Sequence, residues 1–442
     1  MNSLEDLVKS LENKIADGAS EEVPIVNIRR LKLLFVSTHI NQITGYAKVS
    51  YNIINELAKL PWLTTIHFAI QGFRENGTRS YPTDIQIYDA VELETKTKTG
   101  IKAGFGFSEL SAVVKKEKPD IIFIYNDLAV ISEYLVELRK LEDSGVQRDW
   151  RIWLYIDQVY KTQPRNLIDL VNREAERVFC FTEEWKKILR FQGMHREIDV
   201  LPHGFDETIF YPIPKKLARQ SARIPEEAFL FLSLNRNQPR KRLDLLVMAF
   251  VELIVRNPSM PIFLMMICDK GDRGGYPVFE IYSRELRIRG ASIDQFGNRL
   301  MLSNDQRKYE DSEINILYNL ADAGVSCADG EGFGLCAFEQ MGVGVPQVLS
   351  NVVGHKEYCN EKNSLIVPCK SRYYLPLGYC PTGGEAEVVD PIDFARAMER
   401  YVLDENLRAA HGKAAHETVT KYSWENVLKI LITRLTQVGS EK

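Results

Sequence analysis

Short apolar runs alternate with amphipathic stretches along most of this chain. "LKLLFVSTHI" (31–40) is a short apolar run, β-branched towards its end, which predicts a buried strand. "VSYNIINELAKL" places its apolar residues at helical spacing. "TIHFAIQGF", "PDIIFIYND", "RIWLYIDQ" and "RVFCFT" predict further strands, with helices such as "FSELSAVVKKEK" between them. "IDVLPHGFDETIFYPIPKKL" (198–217) then breaks the rhythm with three prolines, a glycine and little periodicity, which suits a hinge. The alternation restarts beyond it. "FLFLSLNRN", "PIFLMMICDK", "AGVSCAD" and "PQVLSN" predict strands; "RLDLLVMAFVELIVR", "INILYNLAD" and "GLCAFEQMGVG" predict helices. Strands alternating with helices imply βαβ units and parallel sheets covered on both faces. The pattern therefore predicts an α/β protein of two similarly built, doubly wound, Rossmann-like halves, closed by a late helix, "WENVLKILITRLTQV".

Composition narrows the class without redirecting it. The 442 residues are 45% hydrophobic and 26% charged with net charge −4, so nothing points to nucleic acid or to an anionic membrane surface. The first residues are acidic and lack an apolar core of the signal-peptide kind, and no apolar run is long enough to span a bilayer. Leu4, Leu7, Val8, Leu11 and Ile15 form a helical stripe that predicts an appended helix packed on the body or on a partner. Seven scattered cysteines, with no metal-binding spacing, read as reduced thiols. A cytoplasmic location is expected.

In open parallel sheets, ligands bind beyond the carboxyl ends of the strands, so the chemistry is sought in those loops. "LNRNQPRKRLD" puts Arg236, Arg240, Lys241 and Arg242 within seven residues, just before a helix. The helix dipole disfavours cations there, so the cluster calls for a bound anion or is a solvated basic face. "DGEGFGL" offers backbone N–H groups that glycine leaves uncovered at a second helix start, with Glu331 in the turn and Glu339 eight positions on. A carboxylate at Glu339 matches the paired hydroxyls of a ribose, and Glu331 lies nearer a reacting end. Gly45 opens the first helix, where a glycine lets a backbone N–H approach a diphosphate or merely makes a turn.

Several motifs are missing. No G-x-G-x-x-G follows the first strand, and there is no Walker motif, nucleophile elbow or D-x-D pair. No cofactor and no metal are expected, and any phosphate charge falls to Arg, Lys and backbone dipoles.

Two of these stretches, "NRNQPRKRLDLLVMAF" and "EGFGLCAFEQMGVGVP", resemble the donor-site signatures of glycosyltransferase family 4, retaining enzymes of the GT-B fold. The Glu-x7-Glu motif is met by Glu331 and Glu339, and the Arg-x4-Lys pair by Arg236 and Lys241. "LPHGFDETIFYP" resembles the family's interdomain segment, with His203 where Asn is usual. The resemblance implies an extension at 1–30, an acceptor-side domain at 31–207, a nucleotide-sugar domain at 208–423, and a helix at 424–442 crossing back to the first domain. It implies that Arg236 and Lys241 neutralise the leaving diphosphate and Glu339 binds the ribose. Glu331 and the amides of Gly332, Phe333, Gly334 and Leu335 would hold sugar and phosphate, and Gly45 would add an N–H from the first domain.

The chain departs from the family at two places. Thr44-Gly45-Tyr46 stands for a frequent Gly-Gly pair, and Asp157-Gln158 stands where many members carry a His. Asp157 either takes that role or caps the next segment. The resemblance leads to an expected metal-independent transfer of a hexose to a glycan or glycoconjugate hydroxyl, with retention and a front-face path. A GDP-sugar such as GDP-mannose is favoured over a UDP-sugar. A nucleotide-sugar epimerase, a phosphorylase and a non-catalytic nucleotide-sugar-binding protein are the alternatives. Loops 72–84 and 95–108 and the insert 370–387 are expected at the acceptor side, where Tyr373, Tyr374 and Tyr379 either stack on a sugar or pack on their own domain.

Overall fold

The computed structural model describes residues 28–72, 78–97, 103–222, 224–268, 274–303, 309–376, 380 and 382–441. The N-terminal stripe and Tyr379 lie outside them. Seven parallel strands form the first sheet: β1 (Leu31–Thr38), β2 (Leu63–Ile70), β3 (Gln86–Asp89), β4 (Ile121–Asp127), β5 (Arg151–Asp157), β6 (Arg177–Cys180) and β7 (Glu197–Val200). Their order is β3-β2-β1-β4-β5-β6-β7. Six more parallel strands form the second sheet: β8 (Phe229–Leu234), β9 (Ile262–Ile267), β10 (Leu300–Leu302), β11 (Ala323–Ser326), β12 (Gln347–Ser350) and β13 (Ser364–Val367). Their order is β10-β9-β8-β11-β12-β13.

The apolar runs become central strands because both faces are covered. In β4, Ile121, Ile122, Phe123 and Ile124 are all fully buried. Each sheet reverses its winding once, between β1 and β4 and between β8 and β11. Such a reversal splays the loops on either side apart and leaves a crevice at the strands' carboxyl ends. The two crevices face each other across one cleft. Among the described residues no helix is long and apolar enough to cross a membrane.

One reading is corrected and a second is extended. The stretch read as a hinge from 198 begins inside an ordered strand, β7, and the irregular segment starts only after Val200. The insert at 370–387, to which the sequence pattern assigns no secondary structure, contributes to an antiparallel hairpin of β14 (Cys369–Tyr374) and β15 (Glu385–Val389). Backbone bridging between Lys161 and Glu385, and an ion pair of Lys161 with Glu387 at 2.8 Å, fasten that hairpin to the first lobe.

The chain crosses between lobes twice at one point. Phe205 N–H donates to the Tyr422 carbonyl at 2.7 Å, and Phe205 pairs with Ser423. Gly204 is needed there: a Cβ would stand 2.4 Å from the Trp424 ring and 2.8 Å from its Cα. The helix Trp424–Ser440 then packs on the helix Gly45–Leu57 of the first lobe.

Candidate active site in the interlobe cleft

A cavity of about 470 Å³ lies between the lobes. It is lined by Gly45, Tyr46, Lys48 and Asp157 from the first, and by Arg236, Arg240, Lys241, Glu331–Leu335 and Glu339 from the second. The catalytic and donor-binding candidates Gly45, Asp157, Arg236, Lys241, Glu331–Leu335 and Glu339 therefore meet in one place, and β8 and β11, the strands at the reversal, supply the loops that carry most of them.

Arg236, Arg240 and Lys241 follow β8. The chain enters a short 3-10 turn at Pro239–Lys241, and Arg242 adopts left-handed geometry (φ 47°) before the helix Leu243–Arg256 begins. The cations thus precede the helix instead of occupying its first turn. Arg242 is matched by Asp244 at 2.8 Å. Arg240 donates to Glu331 Oε2 at 2.9 Å and Lys241 pairs with Oε1. A solvated basic face is excluded for Arg240 and Lys241, although Arg236 stands exposed at the cavity rim. Burial pushes the Glu331 carboxyl up, but Lys241 and Arg240 outweigh it and hold the group at about 2. The net charge of this trio is positive, and a carboxylate with both oxygens bound to cations is a poor nucleophile.

The loop after β11 is braced from its carbonyl side. Trp185 Nε1 donates to the Gly332 carbonyl at 2.8 Å, and the Tyr358 hydroxyl lies 3.0 and 2.9 Å from the Phe333 and Gly334 carbonyls. Because the trans peptide opposes C=O and N–H, the amides of Phe333, Gly334 and Leu335 point the other way. Gly334, with φ 91°, sits at the N-cap of the helix Leu335–Gly342, and a Cβ there would meet the Tyr358 hydroxyl at 2.7 Å. His203, where the resembling family has Asn, is neutral packing: burial holds it down at about 3, its Nδ1 meets the Tyr155 hydroxyl at 3.0 Å, and it lies 4.8 Å from the Phe333 ring.

Glu339, one turn into that helix, is buried and bound on both oxygens. Lys48 Nζ reaches Oε1 at 2.7 Å and the Tyr318 hydroxyl donates to Oε2 at 2.9 Å. Lys48 belongs to the opposite lobe. Gly45 also faces across the cleft, where a Cβ would touch Leu335 at 3.7 Å.

Asp157 ends β5 and points at the Gly332 backbone: a Cβ on Gly332 would stand 2.2 Å from Asp157 Oδ1. That oxygen is buried without a hydrogen-bond partner among the described residues. Burial raises the Asp157 carboxyl to about 6, against the opposing pull of the Tyr46 hydroxyl and the Arg240 cation. The folded chain therefore holds this proton more tightly than the unfolded chain. Its contribution to stability is complete below the ordinary carboxyl value and is lost as pH rises through about 6. Asp157→Asn is expected to flatten that decline, so thermal denaturation of variant and wild type should converge at low pH and diverge in the variant's favour above about pH 6. Parallel curves would show that Asp157 titrates normally.

The aromatic insert contributes differently from a sugar platform. The Tyr373 hydroxyl donates to Asp329 Oδ2 at 2.6 Å, and Tyr160 of the first lobe donates to Oδ1 at 2.9 Å. Tyr374 is exposed. Cys336 lines the cleft, and all seven cysteines are free thiols. Among the described residues no group of three His, Cys, Asp or Glu side chains is placed to hold a metal ion.

Two facing Rossmann-like lobes with a shared cleft define a GT-B architecture, and solved structures agree. The sucrose-phosphate synthase of Thermosynechococcus elongatus superposes with a TM-score of 0.68 at 16% identity, over 92% of this chain and 99% of that one. The Anabaena protein HepE, solved in complex with UDP and glucose, gives 0.65 at 13% identity over 92% and 100%. No protein-family model matches the chain. Among curated proteins, the D-inositol 3-phosphate glycosyltransferase of Streptosporangium roseum is 24% identical over 243 residues, covering 55% of this chain and 50% of that protein. The D-inositol 3-phosphate glycosyltransferase 2 of Catenulispora acidiphila is 30% identical over 188 residues, covering 42% of each. The chain spans about half the length of the curated relatives it matches. These relatives carry glycosyltransferase names, and the solved neighbours share the two-lobed fold.

The sequence left Lys48, Tyr318 and Trp185 unmarked. None lies in a signature, and each reaches the site from a helix whose local pattern explains it fully.

Proposed function

We propose that the protein transfers a hexose from a nucleotide diphosphate sugar to a hydroxyl of a glycan or glycoconjugate, with retention of anomeric configuration and without a metal. The observation that carries this reading is the pair Glu331 and Glu339, buried on one loop–helix unit, the first bound by Arg240 and Lys241 and the second by Lys48, in a cleft closed by Gly45 and Lys48 of the other lobe. In this reading Glu339 takes the ribose hydroxyls, and the Phe333–Leu335 amides with Lys241 and Arg236 take the diphosphate.

Charge grows on the leaving diphosphate as the glycosidic bond breaks, so cations fixed in a closed cleft lower the barrier most at that moment. The diphosphate oxygen accepts the acceptor hydroxyl's proton on the same face. Glu331 is engaged by Lys241 and Arg240, which favours its role as the anchor of those cations over that of a nucleophile. Asp157, with an oxygen beside Gly332 that is unpartnered among the described residues, holds a hydroxyl of the transferring sugar in place of the family's His. An epimerase or phosphorylase would need no hydroxyl acceptor, and a binding protein would bind the donor without turnover.

The resemblance favours GDP-mannose. HepE, solved with UDP and glucose, and an E. coli trehalose-6-phosphate structure bound with UDP-2-fluoro glucose favour a UDP-hexose. The donor panel therefore spans both. Thermal denaturation with each nucleotide sugar should pick out one base: a ligand at about 100 times its Kd adds about 2.7 kcal/mol of stability. Uniform insensitivity to every nucleotide sugar would overturn the reading.

A further inference from the structure

The first lobe's helix Gly45–Leu57 carries one cation into the nucleotide side of the cleft. Lys48 Nζ lies 2.7 Å from Glu339 Oε1 and 3.2 Å from Asp311 Oδ1, and 4.5 Å from the centroid of the Phe210 ring. Its principal partner is 291 residues away in sequence and in the other lobe. Arg79, also of the first lobe, reaches the other oxygen of the same Asp311 at 2.9 Å. Lys48 therefore stands at the centre of an ionic seam across the cleft.

We propose that Lys48 is a positioning residue for donor recognition: by binding Glu339 across the cleft it keeps that carboxylate ionised and aimed as an acceptor for the ribose hydroxyls. The proposal rests on the donor-site reading given above for Glu339.

Two observations support it. A protonated carboxyl loses acceptor capacity, so a ribose-binding Glu339 must stay ionised where water is scarce. Its surroundings work against that. Burial pushes Glu339 up, and Asp311 adds to the push; Lys48, with help from the Tyr318 hydroxyl, opposes them. The groups facing Glu339 are Lys48 from the first lobe, Asp311 and Tyr318 from the helix Asp311–Leu320, and the Cys336 thiol on its own helix. Lys48 is the cation among them. Burial draws Lys48 itself down, but Glu339 and Asp311 hold it above its ordinary range, so it remains charged at neutral pH.

The test is calorimetric titration of UDP and of GDP into wild type, Lys48→Met and Lys48→Arg, from about pH 6 to about pH 9. Comparing variant with wild type at each pH cancels the nucleotide's own ionisation. Lys48→Met is expected to bind the preferred nucleotide about tenfold or more weakly at the acidic end, the scale of one hydrogen bond to an ionised group. That gap should narrow as pH rises and Glu339 loses its proton unaided. Lys48→Arg should track wild type throughout. An equal loss at every pH, as an interlobe strut would give, or no loss in Lys48→Met, overturns the assignment. Wild type binding neither nucleotide would instead overturn the donor-site reading on which it rests.

Discussion

Lys241→Ala is expected to slow sugar transfer by about two to three orders of magnitude, or roughly 2–4 kcal/mol of barrier, the scale measured for removing one donor to a developing oxyanion. The size follows from where the ammonium sits. Lys241 is almost wholly buried in the cleft and paired with Glu331, where solvent screens a charge little. In the free protein that pairing offsets the cost of burying it. When a diphosphate enters, the same ammonium is already in place, with no reorganisation left to make. Arg240 still satisfies Glu331 Oε2 in the variant, so folding should survive and the loss should fall on the rate constant for transfer more than on donor affinity. Steady-state kinetics with the preferred donor reads this directly. A Lys241→Ala enzyme with near-normal turnover would remove Lys241 from the mechanism.

Gly354→Ala is expected to abolish transfer through a residue that touches neither substrate. Gly354 lies beneath the donor loop, and a Cβ would stand 2.6 Å from the Glu331 carbonyl oxygen and 2.8 Å from the Gly332 carbonyl carbon and oxygen. All three are backbone atoms, so no rotamer change relieves the contact. The loop must move, and its carbonyls are already fixed by Trp185 and Tyr358. Overpacking of this kind costs about 1–3 kcal/mol of stability. A displacement of the loop by a fraction of an ångström or more misaligns the amides and Glu331 together. The measurements are a thermal midpoint and the rate of sugar transfer at temperatures below it. A variant that is both as stable and as active as wild type would show that this turn does not brace the loop.

What the sequence conveys about this fold depends on where each segment lies. Central strands such as β1 and β4 are legible because burial on both faces demands a near-continuous apolar run. The edge strand β3, "QIYD", has two exposed and two half-buried residues, so no run marks it. β7, "EIDV", is short and adjoins a proline-rich segment, and its strand character comes from pairing with β6, not from local pattern. The β14–β15 hairpin is polar and tyrosine-rich, with five of the six β14 residues exposed. Its place is fixed by packing of Ala386 with Tyr160 and by the pairing of Glu385 and Glu387 with Lys161, some two hundred residues earlier.

The candidate site divides the same way. Glu331, Glu339, Arg236 and Lys241 are legible because loop and helix hold each pair at fixed local spacing. Arg240 is visible only as one of a basic cluster, and its bond to Glu331 needs the β8 and β11 loops brought side by side. Lys48 is hidden because a lysine on an amphipathic helix ordinarily faces water, and only the apposition of the lobes turns it onto Glu339. Asp157 shows as a departure from a family pattern, while its raised proton affinity comes from burial beside Gly332 and outweighs the opposing pull of the Tyr46 hydroxyl.

The central claim is that the two carboxylates and the cations of the second lobe receive a nucleoside diphosphate. A crystal structure with UDP or GDP bound tests it most directly. The account predicts ribose hydroxyls on Glu339, and the diphosphate between Lys241 and the amides of Phe333, Gly334 and Leu335. A nucleotide bound outside the interlobe cleft, or within it but out of reach of Glu339 and Lys241, would contradict it.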